Sequence, residues 1–313
     1  MSTLMKVSSN PHIRSFWTTR RIMLCVIISL LPAAAFGVFN FGLDALVLII
    51  VTIASTVLSE TAFNLICKRK NTIGDLSAVV TGLLLALNLP SSAPWWIGVV
   101  GGAFAIVVVK MLFGGLGQNF MNPALGARCF LLISFTSIMT NFDCDAYTGA
   151  TPLALLKNGQ SVNVFNMVIG RTAGTIGETS VIAIVFGACI LIMCGIIDLK
   201  IPGSYLVSFV IFLVLFGGHG LDFGYIAANL AGGGLMLGAF FMATDYATRP
   251  ITTKGQYVFG ILLGILTGIF RVYGAGAEGV SYAIIIGNLL VPLIEKITMP
   301  KPFGPRQKGG QKA

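Results

Sequence analysis

Long apolar runs separated by short polar loops set the pattern of this chain. The runs are 22–40, 44–66, 76–90, 95–113, 123–140, 180–197, 204–217, 223–243, 256–270 and 277–295. They are continuous, whereas a transmembrane β-barrel has alternating segments of about ten residues. The pattern therefore predicts an all-α polytopic membrane protein with about ten transmembrane helices. The predicted domains are a cytoplasmic N-terminal segment (1–20), one membrane domain (21–296) and a basic cytoplasmic tail (297–313).

Composition supports this interpretation. The 313 residues are 56% hydrophobic and only 10% charged, whereas soluble globular domains carry about 25% charged residues. The net charge of +9 is spread over short loops and forms no basic stripe with interleaved aromatic residues. We therefore expect lipid as the surrounding medium and no nucleic-acid partner.

The distribution of basic residues predicts the orientation. With the N-terminus inside and ten spans, only Lys157, Arg171 and Arg271 of the 20 basic residues fall outside. Loops on the cytoplasmic side of a membrane carry an excess of lysine and arginine. We expect a bacterial cytoplasmic (inner) membrane protein with both termini in the cytoplasm and the 141–178 loop on the outer side.

The two halves of the chain carry a faint repeat. Residues Gly82–Asn88 align with Gly238–Thr244, and Lys110 before a Gly-x-Gly turn aligns with Arg271 before a similar turn. Units that begin on opposite faces predict inverted repeats that meet near the midplane. Short segments that end at Pro90 and begin at Pro123 are the best candidates for broken helices.

A polar loop ends in the run Thr148–Leu153, which reads Thr-Gly-Ala-Thr-Pro-Leu. The Thr151 hydroxyl could be esterified by the phosphate of FMN, and Gly149 and Ala150 would leave a small, open approach to it. Pro152 suits the first position of a helix. The alternative interpretation makes Thr151 only the N-cap of that helix.

A second polar stretch, 114–124, contains Asn119 and Asn122 and lies just before Arg128. The two amides and the guanidinium could bind a flavin or its ribityl chain. The alternative is a helix-breaking loop capped by asparagine.

Two acids lie in or beside apolar runs. Asp245 could pair with Arg249 at the membrane interface or hold a polar site open. Glu60 could touch an ion path, or it could be an interfacial acid whose charge reaches water. The six cysteines form no Cys-x-x-Cys pair, so no metal site is expected.

Several ordered motifs resemble one known family. They are Phe113-Gly-Gly-Leu-Gly117, Asn122-Pro-Ala124, Thr148-Gly-Ala-Thr-Pro-Leu153, Gly233-Gly-Leu-Met-Leu-Gly-Ala-Phe-Phe-Met-Ala-Thr-Asp245, and Tyr273-Gly-x-x-x-Glu278 followed by Gly287-Asn-Leu-Leu-Val-Pro292. Over residues 20 to 296 the chain is similar to the RnfD branch of the NqrB/RnfD family. Thr148 stands where serine is common, a change that keeps the hydroxyl.

The resemblance implies a flavin-carrying subunit of a membrane complex that oxidises reduced ferredoxin with NAD and translocates sodium or protons. It implies FMN on Thr151 through a phosphodiester, added by a flavin transferase, and a second, non-covalent flavin of riboflavin type. It also implies a fold like that of urea and ammonium channels, and partners among the other Rnf subunits (A, B, C, E and G). The residues assigned to flavin binding are Thr148, Gly149, Ala150, Thr151, Leu153, Asn119, Asn122 and Arg128. No catalytic residue and no stand-alone activity are expected.

Two alternatives remain open at this point. The chain could be a urea- or ammonium-type channel, or a small-solute transporter, with no redox role. It could also be a purely structural subunit that has lost its flavin.

Overall fold

A computed structural model describes residues 16–142, 151–274 and 279–300. The regular structure in these ranges is helical, so the predicted all-α class is confirmed. Two helices, Trp95–Phe104 and Leu235–Leu237, continue into π-helices at Ala105–Met111 and Gly238–Met242. The helices are α1 Thr19–Phe41, α2 Leu43–Ile66, α3 Ser77–Leu87, α4 Trp95–Phe104, α5 Pro123–Ser134, α6 Thr136–Met139, α7 Pro152–Lys157, α8 Val164–Ile169, α9 Val181–Met193, α10 Lys200–Phe216, α11 Phe223–Ala231, α12 Leu235–Leu237, α13 Thr253–Tyr273 and α14 Val280–Thr298.

The helices have the lengths and the apolar surface of a membrane protein. Within the described ranges, α1, α2, α13 and α14 are long and apolar enough to cross a membrane, and α11 with α12 forms a fifth, bent candidate. Five further apolar helices are shorter. Large side chains such as Phe39, Leu65, Met193 and Ile251 point outward. The polytopic class is confirmed, and the number ten stays a prediction.

Each half of the chain contains a broken element. In the first half, α3 has 11 residues, which span about 16 Å and cannot cross a hydrocarbon core of about 30 Å. In the second half, α11 and α12 meet at an angle of 63°. The predicted breaks before Pro90 and at Pro123 are confirmed, since α3 ends at Leu87 and α5 begins at Pro123.

Glycine makes the break between α11 and α12 possible. Gly233 and Gly234 have φ values of 63° and 67°, a left-handed conformation that costs side-chain-bearing residues about 1–2 kcal/mol each. Residues with a β carbon would tend to continue the helix here, so the glycines fix where the chain turns.

Contacts at the two ends of helix α1 locate two levels of the helical bundle. Ile22 and Val26, near its beginning, line one cleft. Near its end, the Asn40 amide donates to the Gly170 carbonyl at 3.3 Å, and Gly37 abuts Ile176. At 1.5 Å per residue, these two levels are about 20 Å apart. The segment that begins at Gly170 therefore lies at the opposite end of the helical bundle from the start of α1.

The structure corrects one step of the charge analysis. The count of basic residues assigns Lys110, Arg128 and Arg271 to one or the other side of the membrane, but all three side chains are buried within the bundle. Lys110 and Arg271, the residues aligned by the faint repeat, each lie near the C-terminal end of a helical segment. They lie at opposite ends of the bundle, which supports the predicted inverted arrangement. Similarity to urea and ammonium channels stays a prediction.

Candidate functional site

Thr151 stands immediately before α7, where the sequence predicts a helix start at Pro152. Its backbone has the extended conformation of an N-cap residue, but its side chain makes no capping hydrogen bond. The position of the cap is therefore confirmed, while the hydroxyl is not used for capping. Thr148, Gly149 and Ala150, also assigned to flavin binding, lie outside the described residues.

The half-buried Thr151 lines a cleft of about 410 Å³, counting its open mouth. We call this the Thr151 cleft. Four chain segments form it: the start of α7, helix α8, the loop before α9, and the glycine break after α11. Its described lining residues are Thr151, Pro152, Leu153, Met167, Thr172, Ala173, Gly174, Glu178, Thr179, Ala231, Gly232 and Gly233.

Leu153 anchors α7 to the glycine break. Its buried side chain lies against Gly232 and Gly233, so closely that a β carbon on Gly233 would overlap Leu153. The sequence analysis assigns Leu153 to flavin binding. The structure gives it a packing contact that fixes the position of Thr151, two residues earlier.

Arg271 supports the same break from the other side. Its guanidinium donates to the carbonyls of Asn229, Gly232 (2.8 Å) and Gly233 (3.2 Å). A broken helix leaves carbonyls without helical partners, and in a membrane these must be bonded inside the protein. Arg271 thus supplies donors to these carbonyls from within the protein.

A buried ion pair forms the floor of the Thr151 cleft. Arg128 of α5 donates to Glu178 at 2.7 Å and to the Asn88 side chain at 2.5 Å. Glu178 lines the cleft, whereas Arg128 lies behind it. The sequence indicates Arg128 as a flavin contact but does not reveal Glu178 and Asn88, because the three residues are distant in the chain.

A second cleft of about 740 Å³, counting its mouth, lies at the end of the bundle where α1 begins. We call this the Asn119 cleft. Lys110, Asn119, Asn122 and Asp245 line it together with apolar side chains. Asn119 donates to the Met121 carbonyl at 3.1 Å. Its buried Oδ1 atom accepts no hydrogen bond from any described residue.

The two asparagines have different roles. The Asn122 side chain caps α5 by accepting from the Ala124 amide at 3.0 Å, and it donates to the Met242 carbonyl at 3.4 Å. The capping alternative is therefore confirmed for Asn122. Asn119 keeps a free acceptor within the cleft, which an amide-containing ligand could use.

Asp245 does not form the predicted pair with Arg249. Its carboxylate accepts weak hydrogen bonds from the Ala247 amide (3.5 Å) and the Thr248 hydroxyl (3.4 Å). The Arg249 guanidinium instead lies 4.5 Å from the centroid of the Tyr246 ring, close enough for a cation–π interaction. Asp245 is half-buried at the Asn119 cleft, so the polar-site alternative fits its position.

Glu60 has a buried partner that the sequence does not identify. Lys110 donates to Glu60 at 2.7 Å and to the Ser77 hydroxyl at 2.6 Å, and Thr72 donates to the other carboxylate oxygen. The interpretation of Glu60 as an interfacial acid is wrong, because its side chain is fully buried. One signal was present: two opposite charges inside apolar runs, since charges at such positions pair with one another.

The two clefts are arranged along the same helix. Ser77, Thr81 and Leu84 of α3 line the Asn119 cleft, and Asn88, just past the end of α3, binds Arg128 at the floor of the Thr151 cleft. Leu84 and Asn88 are one helical turn apart, or about 6 Å. The Asn119 cleft therefore comes close, in the interior, to the Arg128–Glu178 pair at the floor of the Thr151 cleft.

Comparison with known proteins places the chain in a family. A family model described as the NQR2, RnfD, RnfE family matches residues 6–304. The chain is 48% identical over 308 residues to the D subunit of the Na(+)-translocating ferredoxin:NAD(+) oxidoreductase complex of Acetobacterium woodii, covering 95% of each protein. It is 40% identical over 319 residues to the D subunit of the proton-translocating ferredoxin:NAD(+) oxidoreductase complex of Clostridium ljungdahlii, covering 96% of each. It is 34% identical over 350 residues to the D subunit of the ion-translocating oxidoreductase complex of Actinobacillus succinogenes, covering 96% of this chain and 98% of the relative. From the extent of these matches, the chain belongs to the NQR2, RnfD, RnfE family.

Proposed function

We propose that this chain is the flavin-carrying, electron-transferring subunit of a membrane complex that oxidises reduced ferredoxin with NAD and translocates sodium or protons. The names of the Acetobacterium and Clostridium relatives support the complex and its reaction. Those two names differ in the ion, so family membership leaves the choice between sodium and protons open. The chain acts as one subunit and has no activity by itself.

Thr151 carries FMN through a phosphodiester in this proposal. The observation that supports this attachment most directly is that the Thr151 hydroxyl makes no capping hydrogen bond, although the residue stands at the N-cap position beside a cleft. Leu153 fixes the backbone next to it. A flavin supplies the redox chemistry, and the protein supplies position and electrostatics.

A second, non-covalent flavin of riboflavin type binds in the Asn119 cleft. The unpaired Oδ1 atom of Asn119 supports this site, because a buried acceptor without a donor is costly unless a ligand or water satisfies it. The apolar walls suit a flat ring, and Lys110 and Asp245 also line the cleft. Asn122 acts indirectly in this proposal, because its side chain caps the start of α5.

The orientation in this proposal is the one that the distribution of basic residues predicts. The Asn119 cleft, at the start of α1, faces the cytoplasm, and the Thr151 cleft faces the outer side of a bacterial cytoplasmic membrane. A separate flavin transferase then loads Thr151 from outside. The remaining Rnf subunits (A, B, C, E and G) are the partners between which electrons pass.

The channel alternative fits the interior less well. An open pore would connect the two clefts, but the buried Arg128–Glu178 pair, bonded to Asn88, forms the floor of the Thr151 cleft. Electrons can tunnel through such a barrier, whereas a solute would have to displace a buried ion pair.

In-gel flavin fluorescence after denaturing electrophoresis tests this proposal. The chain is co-expressed with an active flavin transferase, and Thr151→Val is compared with Thr172→Val, which removes another hydroxyl from the same cleft. We expect a fluorescent band for the wild type and Thr172→Val and none for Thr151→Val. A wild-type chain without fluorescence, beside a transferase that labels a control substrate, would overturn the proposal.

A further inference from the structure

The Thr151 cleft contains one carboxylate whose role the proposed function leaves open. Glu178 is the only titratable residue among the described residues that line the cleft. Its side chain is 5% exposed, so its charge is poorly screened by water and acts strongly on neighbouring groups. A charge in this position faces whatever binds beside Thr151.

We propose that Glu178 lowers the reduction potential of the flavin bound at Thr151, and that Arg128 is the positioning residue that holds the Glu178 carboxylate. This inference rests on the proposed function, because it requires a flavin in the Thr151 cleft. It assigns a role to an ion pair between residues 50 positions apart in the chain.

Three contacts hold Glu178 in place. Arg128 donates to its carboxylate at 2.7 Å. The preceding residue, Gly177, donates its backbone amide to the Leu87 carbonyl at the end of α3 at 2.8 Å. On the remaining side the carboxylate lies against Gly234, where a β carbon would overlap it. The carboxylate is therefore fixed by the fold and cannot swing away from a bound ligand.

The positions of the two charges relative to the ligand determine whether the reduction potential of the flavin falls or rises. Glu178 lines the cleft and Arg128 lies behind it, so the negative end of the pair faces the ligand. Reduction adds electrons to a flavin, and a nearby carboxylate disfavours the added negative charge. Replacing the carboxylate by a neutral amide should raise the potential.

Redox titration of the purified full-length chain, flavinylated by co-expression with the transferase, tests the inference. The spectral component that is absent from Thr151→Val identifies the covalent flavin. The variants are Glu178→Gln, the double variant Arg128→Gln/Glu178→Gln, and the control Asp222→Asn. Asp222 is an exposed acid that caps α11, and asparagine can replace it as a cap.

We expect Glu178→Gln to raise the reduced-to-oxidised ratio about tenfold at a fixed potential, equal to ~30 mV for a two-electron couple. The double variant should shift in the same direction by less, because the more distant positive charge is also removed. It also has no unpaired buried cation that could prevent folding. Asp222→Asn should match the wild type.

The inference is overturned if a covalently flavinylated Glu178→Gln or double variant titrates at the wild-type potential. It is also overturned if the potential falls. Absence of covalent flavin from the wild type would instead overturn the proposed function, so the two failures are distinguishable.

Discussion

The Glu178 carboxylate occupies the space that a β carbon at Gly234 would need. Gly234 stands in the break between α11 and α12, and Glu178 comes from the loop before α9. Their contact joins the glycine break of the second half to the ion pair that reaches α5 and α3 of the first half. Through this contact, the shape of the Thr151 cleft depends on both halves of the chain.

Gly234→Ala should therefore destabilise the protein and disturb the cleft. Gly218→Ala is the matched control, because Gly218 has a similar φ of 75° but no atom within 4 Å of a built β carbon. The control should lose about 1–2 kcal/mol of its free energy of unfolding through backbone strain alone. Gly234→Ala should lose clearly more. The apparent melting temperature in detergent measures both variants. Equal losses of stability in the two variants would show that the contact between Gly234 and Glu178 does not contribute to stability.

The Lys110–Glu60 pair should be costly to break from one side. Lys110→Met leaves a buried carboxylate without its cation and should cost about 3–5 kcal/mol, whereas replacing both residues by apolar ones should restore much of the loss. The control is Lys200→Met, which removes an exposed partner of Asp198 and should change stability by about 1 kcal/mol or less. Unfolding of the detergent-solubilised chain measures the stability of each variant and checks this ranking. A mild Lys110→Met effect would contradict this account of the pair.

Asn119→Leu should lower the amount of non-covalent flavin that co-purifies with the chain. The variant removes the unpaired acceptor from the Asn119 cleft, and we expect about tenfold weaker binding, ~1.4 kcal/mol. Gln256→Met is the control, because Gln256 is also a buried amide with an unpaired oxygen but does not line the cleft. Flavin extracted with acid is quantified by fluorescence. If both variants retain riboflavin equally, the second site lies elsewhere.

Asp245 should make stability depend on pH. The residue follows the α12 segment, and burial raises the pKa of its carboxyl despite hydrogen bonds from Ala247 and Thr248. A raised pKa in the folded protein favours the neutral acid, so stability falls as pH rises through the folded pKa. Asp245→Asn should therefore stabilise the protein at pH 7, and its advantage should vanish below about pH 4.

Asp198→Asn should change stability in the opposite direction from Asp245→Asn. The hydrogen bond from Lys200, with its charge, lowers the pKa of the exposed Asp198 carboxyl, so ionised Asp198 favours the folded state above about pH 4. The small benefit of the wild-type residue should disappear as pH falls. Melting temperatures of both variants from about pH 2.5 to pH 8 test the pair of predictions, and parallel curves would contradict them.

The sequence predicted the elements that depend on local composition. Apolar runs identified the helices, and Pro123 and Pro152 marked the starts of α5 and α7. The break near Pro90 was also visible, because the run was too short for a span. These features follow from hydropathy and from the restricted backbone of proline, which act over a few residues.

The sequence could not predict which distant residues meet. Glu178, Asn88 and Arg128 come from three separate segments, and only the folded arrangement brings them together. The same limitation hid the partner of Glu60, since Lys110 lies 50 residues away, and left open the interfacial-acid alternative that the structure contradicts. The burial of Arg128 was equally hidden, because an apolar run does not reveal which of its members faces the interior.

Attachment of FMN to Thr151 is the central claim, and peptide mass spectrometry tests it most directly. The chain is co-expressed with a flavin transferase and digested, and the peptide that contains both Thr148 and Thr151 is fragmented. We predict that the mass of FMN, linked through its phosphate, resides on Thr151. The modification on Thr148, or an unmodified peptide from a preparation in which the transferase is active, would contradict the account.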